Sequence, residues 1–129
     1  MLLLRMSQLS VHSRREEHVK PLLSTVNLEI RAGQWISIVG RNGSGKSTLA
    51  GVIAGIIEAD SGTIDRSYSI DSPIPYVMQQ DEQLFGETPW EDVVFILETN
   101  GITPERIPSI AAQSLNQVGL GEHMHTPLA

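Results

Sequence analysis

The chain contains no cysteine, which excludes a disulfide framework and any thiol chemistry within it and fits a cytosolic protein. Positive charge is scarce. Nine Lys and Arg stand against fifteen Asp and Glu, for a net charge of −6. That balance argues against general nucleic-acid binding, which needs a basic face. The one local basic cluster is Arg14, Arg15 and Lys20. No apolar run approaches the roughly 18 residues needed to span a bilayer. Met1-Leu2-Leu3-Leu4 is broken by Arg5 before it reaches the length of a signal-peptide core. A membrane role for these residues is therefore expected to be peripheral, through a partner. Internal repeats and low-complexity segments are absent. What remains, 129 residues with an ordinary hydrophobic share of 40%, suits one modest globular domain.

The most informative stretch present is Gly40-Arg41-Asn42-Gly43-Ser44-Gly45-Lys46-Ser47-Thr48. Gly, four residues, then Gly-Lys-Ser is the P-loop, or Walker A, pattern. Glycines let the backbone curl until successive N–H groups converge on one phosphate. The helix that follows presents its positive N-terminal end to the same anion. Lys46 has the reach to contact β- and γ-phosphates as a point charge. Ser47 is the candidate Mg²⁺ ligand, with Thr48 starting the helix beside it. The flanks agree with the motif. Residues 35–39, Trp-Ile-Ser-Ile-Val, read as a short strand of the kind buried in a parallel sheet. Residues 49–56 read as a helix, with Leu49, Val52, Ile53 and Ile56 on one face.

Upstream, residues 2–11 and 22–30 read as strands. In the second, Val26, Leu28 and Ile30 alternate with Asn27 and Glu29, as in an antiparallel strand with one wet face. Residues 12–20 are polar and read as a loop, and Ala32-Gly33 as a turn. After the P-loop helix, Ala59-Asp60-Ser61-Gly62 has turn chemistry, and Thr63-Ile64-Asp65 is a short strand candidate. Residues 67–72 are polar. Residues 74–78 form a second short strand candidate, with Pro75 near its start, and residues 79–83 a polar loop. Thr88-Pro89-Trp90-Glu91 predicts a helix start with Thr at the N-cap, Pro at N1 and Glu at N3. That helix should run to about Asn100, with Gly101 closing it. A last helix is expected over residues 109–118, delayed by Pro108 and ended by Gly119. Its predicted apolar stripe is Ile110, Ser114, Leu115 and Val118, with Ala111 beside it.

This succession resembles the nucleotide-binding domain of an ABC transporter. The resemblance rests on Leu28-Glu29-Ile30-Arg31-Ala32-Gly33-Gln34-Trp35, on the Walker A stretch, and on Glu58-Ala59-Asp60-Ser61-Gly62-Thr63-Ile64. Tyr76-Val77-Met78-Gln79 is similar to the family's Q-loop strand, with Gln79 as its glutamine. Asp81-Glu82-Gln83-Leu84-Phe85 and Glu91-Asp92-Val93-Val94-Phe95 resemble the ATPases of energy-coupling-factor importers, which take up vitamins or transition-metal ions. The resemblance implies an α/β fold: a P-loop NTPase of ABC type with N-terminal antiparallel strands and the start of a helical subdomain. Residues 1–80 would then be a partial ATP-binding core and residues 81–129 the partial helical subdomain. It also implies ATP and Mg²⁺ as ligands, a transmembrane transporter subunit and a second ABC ATPase as partners, and a place at the cytoplasmic face of the membrane.

Residue by residue, the resemblance gives Lys46 and Gln79 catalytic roles and makes residues 40–48 the cradle. Ser47 and Gln79 become the Mg²⁺ contacts, with Gln80 a rival for the glutamine position. Leu84, Phe85 and Trp90 either line the groove for a coupling helix of the membrane partner or pack a core. Arg41 either adds charge near the phosphates or points to solvent. The family's Leu-Ser-Gly-Gly-Gln signature would follow Gly119-Leu120, and no such segment occurs. The expectation is a truncated domain whose residues bind nucleotide without hydrolysing it alone. Ser13 stands where the family usually carries an aromatic that stacks on adenine, next to His12. His123-x-His125 lacks converging ligands and reads as solvated, not metal-binding. Glu91 and Asp92 lie in a first helical turn, where carboxylates are favoured anyway. Two alternatives remain. One is a soluble ABC-type ATPase of translation or repair. The other is a P-loop kinase or GTPase, disfavoured by the two upstream strands and by the lack of any Asp-x-x-Gly or Asn-Lys-x-Asp element.

Overall fold

A computed structural model describes residues 1–13, 19–68, 74–79 and 84–128. Arg14, Arg15, residues 69–72 of the polar stretch, Gln80 and Asp81-Glu82-Gln83 lie outside the described residues. Two compact units are present, Met1–Val77 and Met78–Ala129.

The first unit holds three strands and one helix: β1 (Leu2–Ser13), β2 (Lys20–Arg31), α1 (Lys46–Ile53) and β3 (Ser61–Arg66). The sheet order is β2-β1-β3 and every pairing is antiparallel. β1 is central, so its apolar side chains form the core: Leu4, Met6, Leu9 and Val11 are buried, with Leu23 and Val52. The mixed patterning of residues 2–11 has a structural cause. Burial alternates through Leu4 and Met6, then changes phase before Leu9. Between them Gln8 takes a positive φ of 51°, and the register to β2 shifts there. One extra residue in a strand does this, because side-chain direction has period two. The Asn27 side chain accepts the Gln8 backbone N–H at 2.9 Å and holds the bulge.

β1 and β2 extend further than their apolar patterns, to Ser13 and Lys20. β3 likewise runs past Thr63-Ile64-Asp65 at both ends. The helix lies earlier than expected, at Lys46–Ile53 and not residues 49–56. Ile56 is exposed, while Ile57 folds back so that its side chain abuts Gly51. Leu49, Val52 and Ile53 do face the core.

Residues 35–39 depart most from expectation. They are not part of any ladder, and Trp35 and Val39 are 96% and 88% exposed. The apolar run has a strand's composition, but no described strand pairs with it. Residues 74–78 also lack ladder pairing.

The second unit packs α2 (Pro89–Thr99) and α3 (Ile107–Gln117), followed by a 3-10 turn at Gly121–His123. The α2 start is as predicted. The Thr88 hydroxyl accepts the Glu91 N–H at 3.2 Å, and Pro89 occupies the first turn. Gly101 has a φ of +74°, as a residue closing a helix requires. α3 corrects the expectation. Pro108 sits inside its first turn, where a missing N–H costs nothing. The buried stripe is Ile107, Ala111 and Leu115, while Ser114 and Val118 are exposed.

Candidate phosphate site

Residues 40–45 curl between residues 35–39 and the start of α1. The curl is tight at Gly45, whose φ is +98°. A Cβ added there would lie 2.7 Å from the Leu22 carbonyl oxygen and 2.9 Å from Leu23 Cδ2. Glycine is therefore required twice over, for the backbone angle and for the close approach of β2. Through Leu22 and Leu23 the loop rests on the sheet.

The helix end that the loop feeds is open. No side chain caps α1, and its first turn carries no acidic residue. The initial N–H groups of a helix lack intrahelical partners and carry a partial positive charge, so such an end accepts an anion. The Lys46 ammonium folds back over the loop. It donates to the carbonyl oxygens of Gly40 and Arg41 at 2.7 Å each, and lies 3.4 Å from Ser44 Oγ. Ser44 N–H also donates to Arg41 O at 3.1 Å, closing the turn. Arg41, Asn42, Gly43, Ser44 and Ser47 are exposed, and Thr48 is half-buried. Uncapped donors at the helix start and a lysine ammonium beside the loop together fit a polyphosphate. Ser47, exposed in the first turn of α1, fits a hydroxyl ligand for the accompanying cation.

The opposite end of α1 is fully engaged. Arg66 Nη2 donates to Val52 O at 2.7 Å, and the Tyr68 hydroxyl donates to Ile53 O at 3.0 Å. Neither residue stands out in the sequence, since both bonds run to backbone atoms that no side-chain pattern reveals.

At the end of β1, the Asp60 carboxylate accepts the His12 backbone N–H at 2.6 Å, with the His12 ring 3.6 Å away. His12 and Asp60, with Val11, Leu22 and Ile57–Ala59, line a cavity of about 270 Å³. Sequence reasoning treated Asp60 as a turn residue; its position two before a glycine gave no sign of the bond to β1.

Gln79 is exposed and belongs to the second unit. In that unit Phe85 stacks on Phe95 with ring centroids 4.8 Å apart, and both rings remain exposed. Leu84 is exposed as well. Trp90 does not join them as an open surface residue. Half-buried, its ring tilts against that of His125 at 5.4 Å, and its backbone N–H donates to Met124 O. His125 is thus a packing partner, and among the described residues no cluster of His, Asp or Glu could hold a metal ion. Asp92 accepts the Phe85 and Gly86 N–H groups at 2.7 and 3.3 Å, and Glu91 accepts that of Glu87 at 2.8 Å. Both carboxylates serve the turn into α2.

A glycine loop that leads an apolar segment into an open helix end, with a lysine folded across it, has the build of a P-loop NTPase. The family described as "ABC transporter" matches residues 23–129, and the chain belongs to that family. It is 35% identical over 117 residues to the energy-coupling factor transporter ATP-binding protein EcfA1 of Streptococcus mutans, covering 83% of this chain and 42% of that protein. It is 38% identical over 113 residues to EcfA1 of Leuconostoc mesenteroides, covering 80% and 42%. The chain thus spans less than half the length of these relatives. Among solved structures, cbiO1 of Clostridium perfringens, part of the cbiONQ ABC transporter complex, matches 98% of this chain and 54% of its own, with a TM-score of 0.72 and 24% identity. An ATP-binding cassette in a dimeric post-hydrolysis state, bound to ADP and Pi, matches 98% of this chain and 63% of its own, with a TM-score of 0.71 and 21% identity. At those identities the likeness is one of fold. Among the described residues no helix is long and apolar enough to cross a membrane.

Proposed function

We propose that this chain is the nucleotide-binding part of an ABC importer ATPase of the energy-coupling type, holding the phosphates of ATP at residues 40–48. The observation that carries the reading is the uncapped start of α1 beneath the glycine loop, with Lys46 beside it. Backbone N–H groups of the loop other than that of Ser44, and those of the first turn of α1, would hold the phosphate oxygens, and Lys46 their charge. Ser47 would ligate Mg²⁺, which offsets phosphate charge when bound. Gln79, in the second unit, takes the glutamine role that the family resemblance gives it.

The relatives' names support a transport role; on the same proposal a second ATPase subunit completes each site and a transmembrane subunit anchors the protein at the cytoplasmic face. Uptake of a vitamin or transition-metal ion follows the same reading. The exposed apolar group of Leu84, Phe85, Phe95 and Ile96 suits an amphipathic helical segment of that membrane partner better than open water. Residues 1–129 alone are expected to bind nucleotide without turnover.

Titration with MgATP in a calorimeter tests the central point. A charge-assisted hydrogen bond contributes about 1.5–3 kcal/mol, so Lys46→Ala should weaken binding about tenfold or more. Equal affinity in the variant would remove Lys46, and with it the phosphate reading of the loop. No phosphate release is expected from residues 1–129, and sustained release would refute their predicted inactivity.

A further inference from the structure

We infer that Arg66 and Tyr68 are positioning residues for nucleotide binding, acting from the far end of the P-loop helix; this rests on the nucleotide reading above. α1 has only eight residues, about 12 Å of helix. A helix this short has little stability of its own and takes its direction from what it packs against. Its side-chain anchors are one-sided: Val52 is buried, Leu49 and Ile53 are half-buried against the β1 core.

The two ends of α1 are treated oppositely. At the start, no side chain touches the open N–H groups. At the finish, every late carbonyl is taken. Ala50 O receives Ala54 N–H, Gly51 O receives Ile56 and Ile57 N–H, and Val52 O receives Gly55 N–H. Val52 O then receives a second donor, Arg66 Nη2, and Ile53 O receives the Tyr68 hydroxyl. A guanidinium at this end also complements the partial negative charge of the helix terminus.

The two clamping side chains come from the end of β3 and from two residues beyond it. Arg66 is the last residue of β3, paired with Leu4 of the central strand, and Ser67 N–H donates to Leu3 O at 2.9 Å. Arg66 is half-buried; its Nη2 reaches Val52 O, and its Nε is enclosed without a hydrogen-bond partner among the described residues. Fixing one end of a two-turn rod to the sheet fixes the aim of the other. The open N–H groups at Lys46, Ser47 and Thr48 are that other end.

The test uses residues 1–129 with two probes, MgATP and inorganic tripolyphosphate, and four proteins: the parent, Arg66→Ala, Arg66→Lys and Tyr68→Phe. Remote contacts of this kind typically alter binding severalfold, so Arg66→Ala should weaken both probes about fivefold and Tyr68→Phe about threefold. Arg66→Lys, which keeps a charged donor, should recover most of the loss. In ¹⁵N spectra of the ligand-free proteins the amides of Lys46, Ser47 and Thr48 should shift in Arg66→Ala and return toward the parent in Arg66→Lys. A purely structural role would lower the melting temperature and leave those amides and both affinities unchanged. If Arg66→Ala does not fold, Tyr68→Phe, which deletes one oxygen, decides. A parent that binds MgATP while the folded variants bind it equally well overturns the inference and spares the nucleotide reading. Loss for MgATP alone, with tripolyphosphate unaffected, also overturns it. A parent that binds neither probe overturns both.

Discussion

Two apolar stretches of the first unit meet opposite fates. β1 buries Leu4, Met6, Leu9 and Val11 to 3% exposure or less, whereas residues 35–39 leave Trp35 and Val39 almost wholly in solvent. Half of β1 is polar, whereas four of the five residues 35–39 are apolar, so composition alone would favour burial of the second segment. The segments differ in neighbours: β1 lies between β2 and β3 and is covered by Val52 of α1, and no described strand pairs with residues 35–39. Burial of a large aliphatic side chain contributes about 1.5–3 kcal/mol, and only when something covers it. A strand's worth therefore lies in its pairings as much as in its own residues.

The contrast can be broken at three points, in descending order of expected effect. Leu9→Ala removes a fully buried side chain at the centre of the sheet. It should lower the unfolding free energy by about 2–5 kcal/mol in a denaturant titration. Gly62→Ala comes next. Gly62 has a φ of +88°, and an added Cβ would run into the Gln8 carbonyl at the β1 bulge. Strain and steric conflict there should cost about 1–3 kcal/mol by the same titration. Val39→Ser should change stability by less than about 0.5 kcal/mol, as exposed substitutions do. A loss above about 1 kcal/mol at Val39 would mean that residues 35–39 find cover in solution, and the contrast with β1 would fail.

The local signals in the sequence survived where the cause is local. Thr88, Pro89 and Glu91 set the start of α2, because capping involves atoms within one turn. The glycine loop leads into a helix as the motif requires, while the strand expected before it at residues 35–39 is not formed. The start of α1 was read three residues late, because the helical face that faces the core begins at Leu49 while the hydrogen bonding begins at Gly45. Pro108, expected to delay α3, sits within its first turn, since its effect depends on which turn it occupies. Burial on β1 was obscured by Gln8, whose bulge no composition rule would place. The anchors of the candidate site were the least legible. Gly45 against Leu22, Asp60 against His12, and Arg66 and Tyr68 against α1 all join residues at least 14 apart through backbone atoms.

One contact changes how heats of binding should be understood. The Lys46 ammonium already holds two carbonyl oxygens at 2.7 Å. A phosphate entering the loop would therefore exchange partners with this lysine and not supply it with its first. In such an exchange bonds broken nearly balance bonds made, so the measured enthalpy would understate the contacts visible in a complex. The free energy would come instead from bringing together charges of opposite sign and from water released by the phosphate. Binding carried by opposite charges in this way would weaken as the salt concentration rises.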